Sequence, residues 1–218
     1  MNAVLESLRQ IADLGGPVVL ILLAVSVITL ATVLYKLWQF SAAGVGRHKA
    51  LKEAVAAWDE GDLAAALAAL KQSKSYLAPV IEMAFSARPE DAKRLEAEAE
   101  SRFARLEGGF RLLDSVAQLA PLLGLFGTVL GMIEAFQSLQ EAGAQVDPSL
   151  LAGGIWVALL TTAVGLAVAM PTSMVLSWFE GRMDGERVTA ERAISTVLHP
   201  QGRAGQQVAD PVAEPARA

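Results

Sequence analysis

Residues Pro148 to Phe179 read PSLLAGGIWVALLTTAVGLAVAMPTSMVLSWF, 32 residues without a formal charge. About 20 apolar residues in a helix cross a bilayer core about 30 Å thick, so this run is long enough to span. Two more such runs exist. Leu14 to Tyr35 holds 22 uncharged residues between Asp13 and Lys36, and Ser115 to Ile133 holds 19 between Asp114 and Glu134. Lipid cannot hydrogen-bond a backbone, so each run is expected to be a helix. The whole chain agrees: 53% of its 218 residues are hydrophobic, 19% are charged and mean hydropathy is +0.40.

The first run reads as a retained anchor. Only Arg9 precedes it, offset by Glu6 and Asp13, and Tyr35-Lys36-Leu37-Trp38 follows where a signal peptide would carry small residues. Tyr35, Trp38 and Phe40 suit an interfacial belt. Lys and Arg set the orientation. Of 18 basic residues, one (Arg9) lies in the leader and none between Leu139 and Leu150; the others are Lys36 or fall in Ser41 to Ser115 or after Glu180. By the positive-inside rule the leader and short loop are expected outside and the rest of the soluble chain inside, in the cytoplasm.

The expected fold is therefore an all-α membrane protein with three transmembrane helices, the second and third long and extending into the cytoplasm. Residues 1–13 form a periplasmic leader, 14–40 the first span, 41–115 a helical cytoplasmic segment and 116–138 the second span. Residues 139–150 form a periplasmic loop, 151–179 the third span and 180–218 a cytoplasmic tail whose end is expected to be disordered. Val4, Leu5, Leu8, Ile11 and Ala12 make a helical stripe in the leader, which suits either an amphipathic surface helix or an extension of the first span.

In the cytoplasmic segment, Gly61-Asp62 separates two helices, Tyr76 to Ala87 is a short helix, and Pro89-Glu90-Asp91 is a helix start. A seam at spacings of three and four then runs through Ala99, Phe103, Leu106, Phe110, Leu113, Ala117, Ala120, Gly124, Gly127, Gly131 and Glu134. It predicts one helix from Glu90 to about Ser138, with Gly108-Gly109 its weak point. Asp147-Pro148 caps the third helix, expected to run through Glu180. Pro121 and Pro171 are expected to kink their helices.

Several chemistries drop out. With no cysteine there is no disulfide, thiolate metal site or cysteine nucleophile. A net charge of -5 gives no reason to expect nucleic acid. His48 and His199 are isolated, lie outside the spans and read as solvated polar residues. No catalytic residue, metal or cofactor is assigned.

The spans carry the candidates. Gly124 to Gly131 lacks the Lys-Ser/Thr of a phosphate loop, while Gly127 and Gly131 form a GxxxG pair that admits a close neighbour. Gly154, Ala158, Thr162, Gly165 and Ala169 form a matching stripe of small residues. Thr128 and Thr162 fall at similar depth, with Thr161 adjoining, so an ion pathway stands beside the plainer reading of hydroxyls bonded to their own helix. Glu134 is either an intramembrane functional acid or a snorkelling residue at the outer interface.

Gly124-Leu125-Phe126-Gly127-Thr128-Val129-Leu130-Gly131, with the run Gly154 to Pro171, resembles the MotA/TolQ/ExbB proton-channel family. Three spans in this order resemble its ExbB/TolQ branch; the flagellar branch has four. Gly61-Asp62-Leu63 and Leu77-Ala78-Pro79-Val80 resemble that family's cytoplasmic segment. The resemblance implies a bacterial inner-membrane ring, a pentamer around an ExbD- or TolR-like single-span partner. The ring would use an ion gradient to energise a TonB- or TolA-like envelope protein. It places the pore-lining threonines at Thr128 and Thr162. This chain departs at Val157, where relatives commonly carry Glu. The implied ion is the proton, with sodium left open by the hydroxyls. The rival is a non-conducting scaffold of the same fold; a small solute transporter fits poorly, with one intramembrane acid and no pair of broken helices.

Overall fold

The computed structural model describes residues 2–142 and 148–202. The centre of the short loop and residues 203–218, most of the stretch His199 to Ala218 expected to be disordered, lie outside the described residues, as does Asp147. Among the described residues every regular element is helical: α1 (Asn2–Ala43), α2 (Lys49–Asp59), α3 (Leu63–Gln72), α4 (Ala78–Ala84), a 3-10 turn (Pro89–Asp91), α5 (Ala92–Glu107), α6 (Phe110–Ala142) and α7 (Pro148–Leu198). Three are long and apolar enough to cross a membrane, over Gly16–Ala43, Phe110–Glu141 and Leu151–Leu198. The chain divides into two compact units: Met1–Tyr35 with Gly109–Phe179, and Lys36–Gly108 with the chain from Glu180.

In the first unit α1 breaks at Gly16, where φ is 66° and ψ -171°. Glycine adopts that conformation without steric cost, and Pro17 after it begins a fresh helical stretch with the donor it lacks needing no partner. The leader's helix and the span are thus separate pieces; the side chains of the leader's stripe lie outside the described residues. Val18 and Leu22 of α1 pack with Val116 and Ala120 of α6 and Ala169 of α7. At the start of α6, Phe110 stacks on Phe179 at 5.6 Å. The seam residue Phe110 is therefore buried within its own chain. α6 and α7 each run uninterrupted through their prolines, Pro121 and Pro171.

The expectation of one helix from Glu90 to Ser138 is overturned. Gly109 takes φ 95°, which ends α5 and starts α6 anew at Phe110. The break leaves carbonyls of the last turn of α5 without intrahelical partners. Gly108 N–H donates to Ala104 O at 3.1 Å, and the Lys36 ammonium donates to Leu106 O at 3.0 Å. The seam itself survives the break: Ala99, Phe103, Leu106, Phe110 and Leu113 are all buried. Beyond it Val116 replaces Ala117 on the buried face, which continues through Ala120, Gly124, Gly127 and Gly131.

The second unit obeys the rules of water. Gly61 at φ 83° ends α2, and the Asp62 side chain caps α3 by accepting from Ala65 N at 2.9 Å. Trp58 stacks on Phe85 at 4.4 Å and donates to Val197 O at 3.0 Å. α7 passes Glu180 and runs on to Leu198. Its charges begin at Glu180, so 180–198 lies outside the apolar span, yet Met183, Glu186, Ala190, Ile194 and Val197 are buried at helical spacing.

Glu186 corrects the reading of His48. That histidine is buried, not solvated: its Nε2 lies 2.7 Å from Glu186 Oε2 and its Nδ1 lies 3.1 Å from Ser75 Oγ. A histidine alone in sequence found its partner 138 residues away. Burial pushes the Glu186 carboxyl up, but hydrogen bonds from His48 and Tyr76, the charge of His48 and the Gly46 N–H prevail and hold it below the ordinary 4.5. A lowered carboxyl contributes stability above its unfolded value and loses it as pH falls through the folded one. Glu186→Gln is expected to destabilise the chain by about 1–3 kcal/mol at neutral pH. Denaturation in detergent at a series of pH values should show that difference narrowing below 4.5.

Candidate functional site

The candidate pathway residues lie where α6 and α7 run antiparallel. A side chain added at Gly131 would meet Ala158, one at Gly127 would meet Thr161, and one at Gly124 would meet Thr161 and Thr162. Gly154 faces Ala135, and Gly165 faces Ala120 and Gly124. Small residues pair in register along the interface, as lipid requires: helices there gain from close backbone contact rather than from hiding apolar surface. Ala158 and Ala169 are buried on the same face.

The register corrects two positions. Thr161, 2% exposed, occupies the seat given to Thr162 in the stripe. The Gly127/Gly131 face continues through buried Ala135, leaving Glu134 exposed on the neighbouring side. Both errors are one residue wide. At 134 and 135 the small-residue criterion would have selected alanine; at 161 and 162 two threonines gave it nothing to choose by.

Thr161 Oγ1 donates to Ala158 O at 2.7 Å, with Gly124 O of α6 at 3.2 Å. A helical threonine ordinarily donates to the carbonyl three or four residues before it. For Thr162 those carbonyls are Leu159 O and Ala158 O, and its hydroxyl bonds neither. Thr162 Oγ1 is buried with no hydrogen-bond partner among the described residues. Thr128, at the level of Thr161 because Gly127 faces Thr161, is satisfied inside its own helix by Leu125 O at 2.6 Å. The site thus brings three threonines within about one helical turn of one another along the interface and, among the described residues, leaves one hydroxyl unpaired. Glu134 is a turn or more further along α6 and is not part of that cluster.

Residues 72–192, more than half of the 218-residue chain, match the MotA/TolQ/ExbB proton channel family. The chain belongs to that family. Relatives include a biopolymer transport protein ExbB homolog of Methanothermobacter thermautotrophicus, 34% identical over 128 residues, covering 56% of this chain and 45% of the relative. An ExbB-like protein of Synechocystis sp. is 32% identical over 163 residues, covering 72% of this chain and 64% of the relative. The Tol-Pal system protein TolQ of Haemophilus influenzae is 36% identical over 99 residues, covering 44% and 42%. In each case the alignment spans less than two thirds of the relative. In this member of the MotA/TolQ/ExbB family the matched region holds α4 to α6 and α7 as far as Arg192, so the whole threonine level lies within it.

The ladder predicts which glycines are irreplaceable. A methyl at Gly165 would sit 2.6 Å from Ala120 O, and one at Gly124 would sit 2.9 Å from Thr161 O, both rigid backbone. Gly165→Ala and Gly124→Ala are expected to cost about 1–3 kcal/mol each. Gly153, with nothing within 4 Å, is expected to tolerate alanine without loss. Unfolding titrations in mixed detergent micelles rank the three; equal effects would contradict the register.

Proposed function

We propose that the chain is the ring subunit of an ion-gradient-driven motor of the ExbB/TolQ type in the bacterial inner membrane. In this reading a homopentamer surrounds an ExbD- or TolR-like single-span partner. It uses proton flow to drive a TonB- or TolA-like protein in import or envelope maintenance. The observation that carries it is the buried Thr162 hydroxyl, unpaired among the described residues, next to Thr161 and within about one helical turn of Thr128 along the interface. An unmet polar group in hydrocarbon is costly, and a water or an ion in transit would meet it. Family membership supports the reading, as do the names of the ExbB and TolQ relatives.

The scaffold reading keeps one observation of its own. Thr128 already bonds its own helix, as a purely structural threonine would. Valine has nearly the shape of threonine without the hydroxyl, so it separates the two. Thr162→Val, alone and with Thr128→Val, is expected to leave complex mass unchanged. In the motor reading the double variant is close to inactive, scored as import-dependent growth and detergent resistance of cells carrying no other copy. An assembled double variant with normal scores would decide for the scaffold.

Orientation is testable on its own, because the chain has no native cysteine. Single cysteines at Ala3 and Ala144 are expected to react with an impermeant maleimide in spheroplasts, and one at Ala65 to react only after lysis. Labelling of Ala65 in intact spheroplasts would reverse the topology.

A further inference from the structure

Glu186 is 3% exposed and accepts three hydrogen bonds. Gly46 N donates to Oε1 at 2.9 Å, while His48 Nε2, at 2.7 Å, and Tyr76 Oη, at 2.8 Å, share Oε2. The donors come from two connections rather than from helices. Gly46 and His48 lie in the link that leaves α1, and Tyr76 lies in the link between α3 and α4. Ser75, from the second link, meets His48 Nδ1, so the links also touch each other through the histidine.

The links are built to meet. A side chain at Gly44 would lie 2.6 Å from Lys74 O, and Tyr76 N donates to Ala43 O at 3.3 Å. Gly46, at φ 80°, sits beneath the Arg182 guanidinium, which fills the space a side chain would take. The next residue of α7 extends the arrangement: Arg187 pairs with Glu107 at 2.6 Å and lies 5.4 Å from the centre of the Phe103 ring. Arg187 is 35% exposed in its side chain, so water screens that pair. Glu186 has no such screening.

A buried carboxylate is an expensive way to hold a core together, since well-packed apolar residues of similar volume often serve as well or better. What it adds is direction. Three donors at fixed positions accept only one placement of the carboxylate, and hence one rotational setting of this part of α7. α7 is a single helix from Pro148 to Leu198 and also carries Thr161 and Thr162.

We propose that Glu186 is a positioning residue for energy transduction, tying the links after α1 and α3 to α7 so that force reaching α7 is borne by the cytoplasmic helices. This rests on the motor reading above. Trypsin provides a readout independent of that reading, because Arg47 and Lys74 lie in the two links, beside the cluster, and both are exposed. Lys93 in α5 is the control site.

The experiment uses the full-length protein in membranes, comparing wild type, Glu186→Gln and the milder Tyr76→Phe. Cleavage after Arg47 and Lys74 is expected to quicken at least about tenfold in Glu186→Gln and less in Tyr76→Phe, with cleavage after Lys93 unchanged. Complex mass and passive proton leak are expected to stay at wild-type level, while import-dependent growth and detergent resistance fall in the same order as the cleavage rates rise. Unchanged cleavage in the links means there is no tie. Opened links with full envelope function mean the tie bears no force. Faster cleavage everywhere, or loss of the oligomer, means Glu186 is only part of the folded core. Each of these overturns the proposal. If the Thr128→Val, Thr162→Val double variant is fully active, the motor reading falls and the transducing role of Glu186 falls with it, while the trypsin rates still report whether the tie exists.

Discussion

Hydrocarbon supplies no hydrogen bonds, and most of this molecule follows from that constraint. Between α6 and α7 it removes the usual incentive to associate, because lipid is as apolar as leucine. Association must come from close backbone contact, and the run of Gly124, Gly127, Gly131, Ala158 and Gly165 permits it. Close contact then brings Thr161 within reach of carbonyls on both helices. Thr162 beside it leaves its hydroxyl without a partner among the described residues. The candidate site is thus set by packing, with one hydroxyl paired across the interface and its neighbour unpaired among the described residues.

Beyond the apolar spans the rules change. Water satisfies exposed polar groups there, and helices associate by burying stripes such as Leu95, Ala99, Phe103 and Leu106 on α5. The buried charged groups Lys36 and Glu186 are paired with protein instead. Lys36 meets the end of α5, and Glu186 meets His48, Tyr76 and Gly46. These contacts fall at helix ends and in links, where backbone groups lack intrahelical partners. Both buried charges thus sit within helices and find their partners where regular structure stops.

Sequence patterns legible at a distance of three or four residues were read well. The three spans, the break at Gly61-Asp62 and the apolar seam from Ala99 to Leu113 all depend on local periodicity, and the structure has them. The helix through Gly108-Gly109 was misread because the seam is continuous on both sides of a break that one left-handed glycine makes. Periodicity reports which face is buried, not whether the backbone beneath it is unbroken. The extension of α7 into the cytoplasm is legible, but its end at Leu198 is not, because the charges from Glu180 onward mask the stripe of Met183, Glu186, Ala190 and Ile194. The His48–Glu186 pair could not be read at all, since nothing in local sequence relates residues 138 apart. In the site itself, the level of the threonines was legible from helix geometry, but the choice between Thr161 and Thr162 required the register.

The balance of groups in one chain bears on how any ion would cross. Between Leu151 and Phe179 there is no acid, and between Ser115 and Gln140 the only one is Glu134, which is exposed. Val157 adds nothing an ion could use. A single unpaired hydroxyl at Thr162 cannot replace the hydration shell of a cation, because such replacement takes several oxygens converging on one point. A proton is less demanding, needing only a connected file of water and hydroxyls, yet one hydroxyl is not a file. Conduction by this fold therefore demands repetition of the threonine level around an axis, or a carboxylate from another polypeptide, or both. The same argument explains why the scaffold reading stays coherent for an isolated chain. Conduction is a property the sequence of one subunit can prepare, by leaving a hydroxyl unmet, and only an assembly can complete.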